Sequence, residues 1–224
     1  YDLQNTVVAL GKVLDFSVRY DIPVILHLDG VNYVDNYPEI WNWFDESLPG
    51  YDPENAKNVE RYDWGEGHEV KLGWRNWGTQ IRVRPQMNLA SEEFRAMNEN
   101  CLNVLYKQIA DWYNELSANK KYLLGGVVTG WELSTYAQNY YYEDGNSYYN
   151  STKPDPDGSE TSGSQDQATG YYASIPLGYA AAEQMGLQPE KGRITMETID
   201  AICSDFMEFL IDIAMKNGIP ADRI

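Results

Sequence analysis

Only two cysteines, Cys101 and Cys203, and two histidines, His27 and His68, occur in 224 residues. With no Cys/His cluster at metal-ligand spacing, a catalytic zinc and a disulfide scaffold are both disfavoured. Each cysteine falls inside an amphipathic helical pattern, where a reduced, buried thiol is expected. Basic residues are scarce as well: 17 Lys and Arg stand against 34 Asp and Glu, giving a formal charge of -17 and a pI near 4.4. That balance argues against nucleic acid or an anionic membrane as partner and suits neutral or cationic ligands. No apolar run is long enough to span a bilayer, and the N-terminus shows no basic region followed by a signal-type apolar core. A soluble protein is expected, with a lean to the bacterial cytoplasm or periplasm. GxSxG elbows, P-loops and a helix-opening GxGxxG are missing too, so no cofactor is expected.

What the chain has in excess is aromatic residues, 7 Trp and 18 Tyr, most of them outside the helical stretches. Flat rings beside a cleft are what sugar recognition needs, because pyranose C–H faces stack on them while a phenol or indole N–H still hydrogen-bonds. Core packing is the competing account for any single ring.

Three segments carry helical periodicity. Leu3, Val7, Leu10, Leu14 and Val18 stripe the first, over residues 3–19. Ser91 is a plausible N-cap for the second, with Glu92 and Glu93 in its first turn and apolar positions from Phe94 to Leu116. A third runs from Thr195 to a glycine stop at Gly218. Each is followed by a short connector and strand-like sequence, and Asp21-Ile22-Pro23 is echoed by Gly218-Ile219-Pro220, which reads as a repeated helix-to-strand joint.

Long segments, 30–90 and 133–194, follow the C-terminal ends of the two clearest strands, VILHLD and YLLGGVVTG. Such asymmetry suits an α/β enzyme elaborated on its catalytic face. The expected architecture is a single-domain (β/α)8 TIM barrel, incomplete in this chain; a doubly wound parallel sheet is the alternative. In the first segment, sequence on either side of Gly65-Glu66-Gly67-His68 suggests a hairpin, followed by a short strand TQIRVRP; the second is a Tyr/Ser/Gly-rich surface loop.

The strand KYLLGGVVTG shows no alternation, which reads as burial on both faces, and it ends in Trp131 and Glu132. A carboxylate there, beside an indole, suits a general acid whose pKa burial raises. Asp29 and His27 share one face of the earlier strand, suited to sugar hydroxyls or to supporting the acid. Arg75, between Trp74 and Trp77, is a candidate grip on a hydroxyl or carboxylate. Tyr33, Trp41, Trp77 and Trp131 are the candidate stacking platform.

Tyr37-Pro38-Glu39-Ile40-Trp41 after a strand, Arg82-Val83-Arg84-Pro85-Gln86-Met87-Asn88 before a helix, and an apolar strand ending in Trp131-Glu132 resemble clan A glycoside hydrolases. The likeness is nearest to family 42 β-galactosidases and their relatives. It implies that Glu132 is the acid/base of a retaining exo-β-glycosidase, of β-galactosidase or β-mannosidase type. Two departures stand out. The clan has Asn before its acid/base, where this chain has Trp131, and its nucleophile is a glutamate on a later strand. The resemblance therefore places the nucleophile, and the remainder of the barrel, beyond Ile224. Were Asp29 or Glu143 the second carboxylate, a separation near 5 Å would imply retention and one of about 6.5–9.5 Å inversion. A non-catalytic carbohydrate-binding protein on a degenerate barrel is the alternative; a homo-oligomer is compatible with either.

Overall fold

The computed structural model describes residues 2–28, 33–71, 73–76, 80–130, 133, 135, 177–188 and 192–224, with strands 73–76 and 80–83 described in backbone only. They fall into two compact units. The first comprises Tyr1–Tyr37, Arg95–Leu133 and Ser204–Ile224; the second comprises Pro38–Phe94 and Ser134–Cys203.

The first unit opens with α1 (Leu3–Tyr20), started by the Asp2 carboxylate, which accepts from the Asn5 N–H at 2.7 Å. It stops at Asp21, in the left-handed conformation at φ 58°, where the Ile22 N–H returns to the Ser17 carbonyl at 3.1 Å. Helix α5 (Met196–Lys216) ends the same way. Gly218 has φ 90°, and the Ile219 N–H reaches the Ala214 carbonyl at 3.1 Å. The Ile-Pro echo is thus one helix stop used twice, a six-to-one hydrogen bond across a left-handed residue. After the second stop comes a 3-10 turn (Ala221–Arg223) beside the sheet.

That sheet is a parallel pair, β1 (Val24–His27) with β4 (Leu124–Val128). Ile25 faces Gly126, Leu26 faces Val127 and His27 faces Val128. The register slips between Val24 and Ile25, so that Gly125 is the extra residue of a bulge; a Cβ there would sit 3.1 Å from the Val24 carbonyl. Leu26, Leu28, Leu124 and Val127 are buried, together with Leu10 and Leu14 of α1, Leu102, Leu105 and Ile109 of α3 (Glu92–Glu115), and Phe206, Leu210 and Ile213 of α5.

The second unit contains a one-turn helix α2 (Pro38–Trp41), a 3-10 turn (Pro53–Asn58), the hairpin β2 (Gly73–Asn76) with β3 (Gln80–Val83), and α4 (Tyr179–Gln184). Asparagine side chains organise its first half. Asn42 Nδ2 donates to the carbonyls of Asp45, Leu48 and Pro49 at 2.9–3.2 Å, and Asn58 Nδ2 to Ile40 at 3.0 Å. Ser91 caps α3, its Oγ accepting from the Phe94 N–H at 3.2 Å while donating to Asn58 Oδ1 at 2.6 Å.

The expected fold class is corrected. Among the described residues there is neither an eight-stranded (β/α)8 barrel nor a doubly wound sheet: helix predominates, and two strands make the only parallel pair. Burial on both faces is corrected with it. Ile25 is 72% exposed and Val128 37%, so the pair has one covered face. The run LLGGVV lacks alternation because the Gly125 bulge brings Leu124 and Val127, three apart, onto the same side. The expected hairpin about Gly65–His68 is short: the Arg61–Glu69 bridge is flanked by the Tyr62 N–H on the His68 carbonyl and the Val70 N–H on the Glu60 carbonyl, and a separate antiparallel pair joins QIRV to GWRN.

Candidate functional site

In the first unit, the C-terminal ends of β1 and β4 lie side by side, the Leu28 N–H donating to the Val128 carbonyl at 3.0 Å. His27 is exposed at this end. The chain leaves β4 through buried Thr129 and then Gly130, which lies against α5: a Cβ there would meet Met207 Sδ at 2.8 Å and Leu210 at 3.5 Å, so the Met207 side chain would have to shift. Tyr33, only 3% exposed, opens a 3-10 turn (Tyr33–Asn36). On α3 the buried hydroxyl of Tyr106 has no hydrogen-bond partner among the described residues. Burial pushes that phenol well above its ordinary value, and Tyr33 adds to the effect.

Glu132, Trp131, Asp29, Trp77 and Glu143 lie outside the described residues, as does the Ser/Gly/Asp-rich stretch. Of the remaining candidates, His27 and Tyr33 belong to the first unit. Trp41, half-buried at the end of α2, and the backbone of Arg75 in β2 belong to the second.

No known protein family, curated protein or solved structure matches this chain. Its residues alone carry the functional argument.

The second unit holds a cluster that the sequence did not disclose. Glu60 is fully buried, and its carboxylate accepts the N–H groups of Gly178, Ala180 and Ala181 at 3.0–3.3 Å and of Arg61 at 3.2 Å. Burial raises its pKa to about 7 even though every one of these N–H bonds opposes the shift. Arg61 forks between Glu69 Oε1 at 2.9 Å and Glu183 Oε2 at 2.7 Å. The second oxygens of those carboxylates take the Gly67 and Gly65 N–H groups. Trp64 packs edge-on against Tyr179, ring centroids 4.6 Å apart. The sequence on either side of Gly65-Glu66-Gly67-His68 marked this turn, but Glu183 lies 122 residues from Arg61 and nothing in the local pattern links them. With each carboxylate already engaged, the cluster fastens the turn to α4. Among the described residues no group of three or more His, Cys, Asp or Glu is placed to hold a metal ion, and no helix is long and apolar enough to cross a membrane.

Proposed function

We propose that this chain acts on β-linked sugars as a retaining exo-glycosidase of the galactosidase or mannosidase type, with Glu132 as its acid/base. The observation that carries the reading is the parallel pairing of β1 and β4. It brings the C-terminal ends of two neighbouring strands, at His27-Leu28 and Val128, side by side, and in the sequence Asp29 follows the first and Trp131-Glu132 follow the second after Thr129-Gly130. The carboxyl ends of parallel strands are where open α/β sheets bind ligands, and this two-stranded pair presents such ends without forming a larger sheet among the described residues. Hydrolysis needs Glu132 to protonate the leaving oxygen and then to activate water, while a second carboxylate carries the sugar. His27 and Asp29 serve the sugar hydroxyls and Trp131 the ring face, whereas Tyr33, expected as part of the stacking platform, is buried in the core; the substrate is a neutral oligosaccharide or glycoside, in keeping with the charge of -17.

The sugar-binding alternative draws on Trp131, which stands where the resemblance expects Asn. One experiment separates the two. Glu132→Gln in the full-length protein is expected to lower kcat on aryl β-galactosides or β-mannosides by about 10²–10⁴ while binding of the free sugar persists. Sugar binding by a wild type that turns over neither substrate class supports the alternative; turnover unaffected by the substitution rejects the assignment of Glu132.

A further inference from the structure

Helix α1 of the first unit carries two lines of side chains. Leu10, Leu14 and Ser17 are buried in the core. About a quarter-turn round the helix, Ala9, Val13, Phe16 and Tyr20 make a second line that faces solvent, with Val13 41% exposed, Phe16 48% and Tyr20 53%. At 3.6 residues per turn these four fall within about 60° of one another. Their steps of four, three and four residues are those of a heptad seam, Ala9 and Phe16 in one core position and Val13 and Tyr20 in the other. The Phe16 and Tyr20 rings already lie against each other, centroids 4.6 Å apart. Helix α3 packs on the opposite side of α1, where Gln108 Nε2 donates to the Val7 carbonyl at 3.3 Å and a Cβ on Gly11 would sit 3.2 Å from the same nitrogen.

The rim of this line is basic. Lys12 and Arg19, seven residues apart, share one heptad position beside the seam, and both are exposed. Lys120, near the end of the helix, is engaged by Asp21 at 2.6 Å, whereas among the described residues neither Lys12 nor Arg19 has a carboxylate in ion-pair range. Arg19 lies instead over the Tyr20 ring, 5.3 Å from its centroid. Two copies of the chain paired antiparallel through this line would set Lys12 and Arg19 of one against Arg19 and Lys12 of the other, and like charges so placed oppose the pairing. A helix bearing carboxylates at the same seven-residue spacing removes that repulsion and pairs both cations. The chain's formal charge of -17 opposes an acidic partner from afar, but at about 0.15 M salt charges more than about 8 Å away are largely screened, while contacts at the rim are not.

We propose that the line Ala9, Val13, Phe16 and Tyr20 of α1 is a docking surface for an amphipathic helix of a partner protein, whose acidic residues, seven apart, meet Lys12 and Arg19. The apolar side chains supply the affinity, with Phe16 and Tyr20 as aromatic anchors, and the two cations set orientation and choice of partner. From Ala9 to Tyr20 the seam is about 16 Å long, three turns of helix, so the contact is small and reversible.

The test is a fluorescence-anisotropy titration of the full-length protein, at physiological ionic strength, into two labelled three-heptad peptides. Both carry leucine at the core heptad positions; one has glutamate at the flanking positions and the other glutamine. The glutamate peptide is expected to bind about threefold to tenfold more tightly, an order that the protein's overall charge would by itself reverse. Phe16→Ala, at an exposed site, is expected to weaken that binding about tenfold, and Tyr20→Ala gives the same readout if Phe16→Ala does not fold. Lys12→Glu together with Arg19→Glu is expected to invert the preference in favour of glutamine. The proposal is overturned if neither peptide binds, if the glutamine peptide binds the wild type as tightly as the glutamate peptide, or if the aromatic variants leave the affinity unchanged. It is also overturned if the protein alone sediments as a dimer that Phe16→Ala abolishes, which would make a second copy the occupant of this face.

Discussion

The two compact units are held together by different physics. In the first, periodic helices bury leucine, isoleucine and phenylalanine against a short parallel pair, and Leu102, Leu105, Ile109, Phe206, Leu210 and Ile213 are all fully buried. In the second, side-chain amides and carboxylates take the place of regular backbone pairing. Asn42, Asn55, Asn58 and Asn88 bind backbone carbonyls, and Glu60 gathers backbone N–H groups around itself. Truncating a buried apolar side chain costs its transfer free energy plus a cavity term, whereas removing one member of a polar network strands its partner in low dielectric.

The largest effect that probes this contrast is in the apolar unit. Phe206→Ala removes a fully buried ring and is expected to cost about 3–5 kcal/mol in chemical denaturation. A loss below about 1 kcal/mol would mean that this core is not packed as described.

The polar unit is tested next, by pH. Glu60 has a folded pKa of about 7 against an ordinary 4.5, so folding takes up a proton between those values. Its contribution to stability is therefore fully present below about pH 4.5 and is lost as pH rises through about 7. Arg61, Glu69, Glu183 and Cys203 are the ionisable groups around it. Glu60→Gln is expected to flatten the decline between pH 5 and 7.5 in urea denaturation, when both proteins are compared across that range. An identical slope in the variant would assign the pH dependence to other groups.

The smallest effect is expected on the surface. Lys107 and Asp111 form an exposed i,i+4 pair at 2.9 Å, and Lys107→Ala is expected to change stability by no more than about 0.5 kcal/mol, diminishing further in salt. A larger change would show that surface charge contributes more than either core mechanism allows.

The same division explains what was legible in the sequence. Helices over 3–19, from Ser91 and to Gly218 were readable because burial repeats every three to four residues and the caps are local: Asp21 and Gly218 each close the turn immediately before them. The barrel expectation failed on LLGGVV, where a bulge at Gly125 removes alternation and imitates a strand buried on both faces. The second unit was opaque for another reason. Its decisive bonds join Glu60 to Ala181 and Arg61 to Glu183, more than a hundred residues apart, and no periodicity announces such pairs. Of the candidate site, His27 and the exit of β4 through Gly130 were legible from strand ends.

The central proposal is that Glu132 protonates the leaving glycosidic oxygen and then takes a proton from the water that attacks the glycosyl-enzyme. The most direct measurement is turnover of an aryl β-galactoside or β-mannoside with a good leaving group by Glu132→Ala, with and without azide. The account predicts slow turnover that azide accelerates, with formation of the β-glycosyl azide, because the anion attacks the glycosyl-enzyme without needing a general base. Wild-type turnover by the variant, with no response to azide, would contradict it.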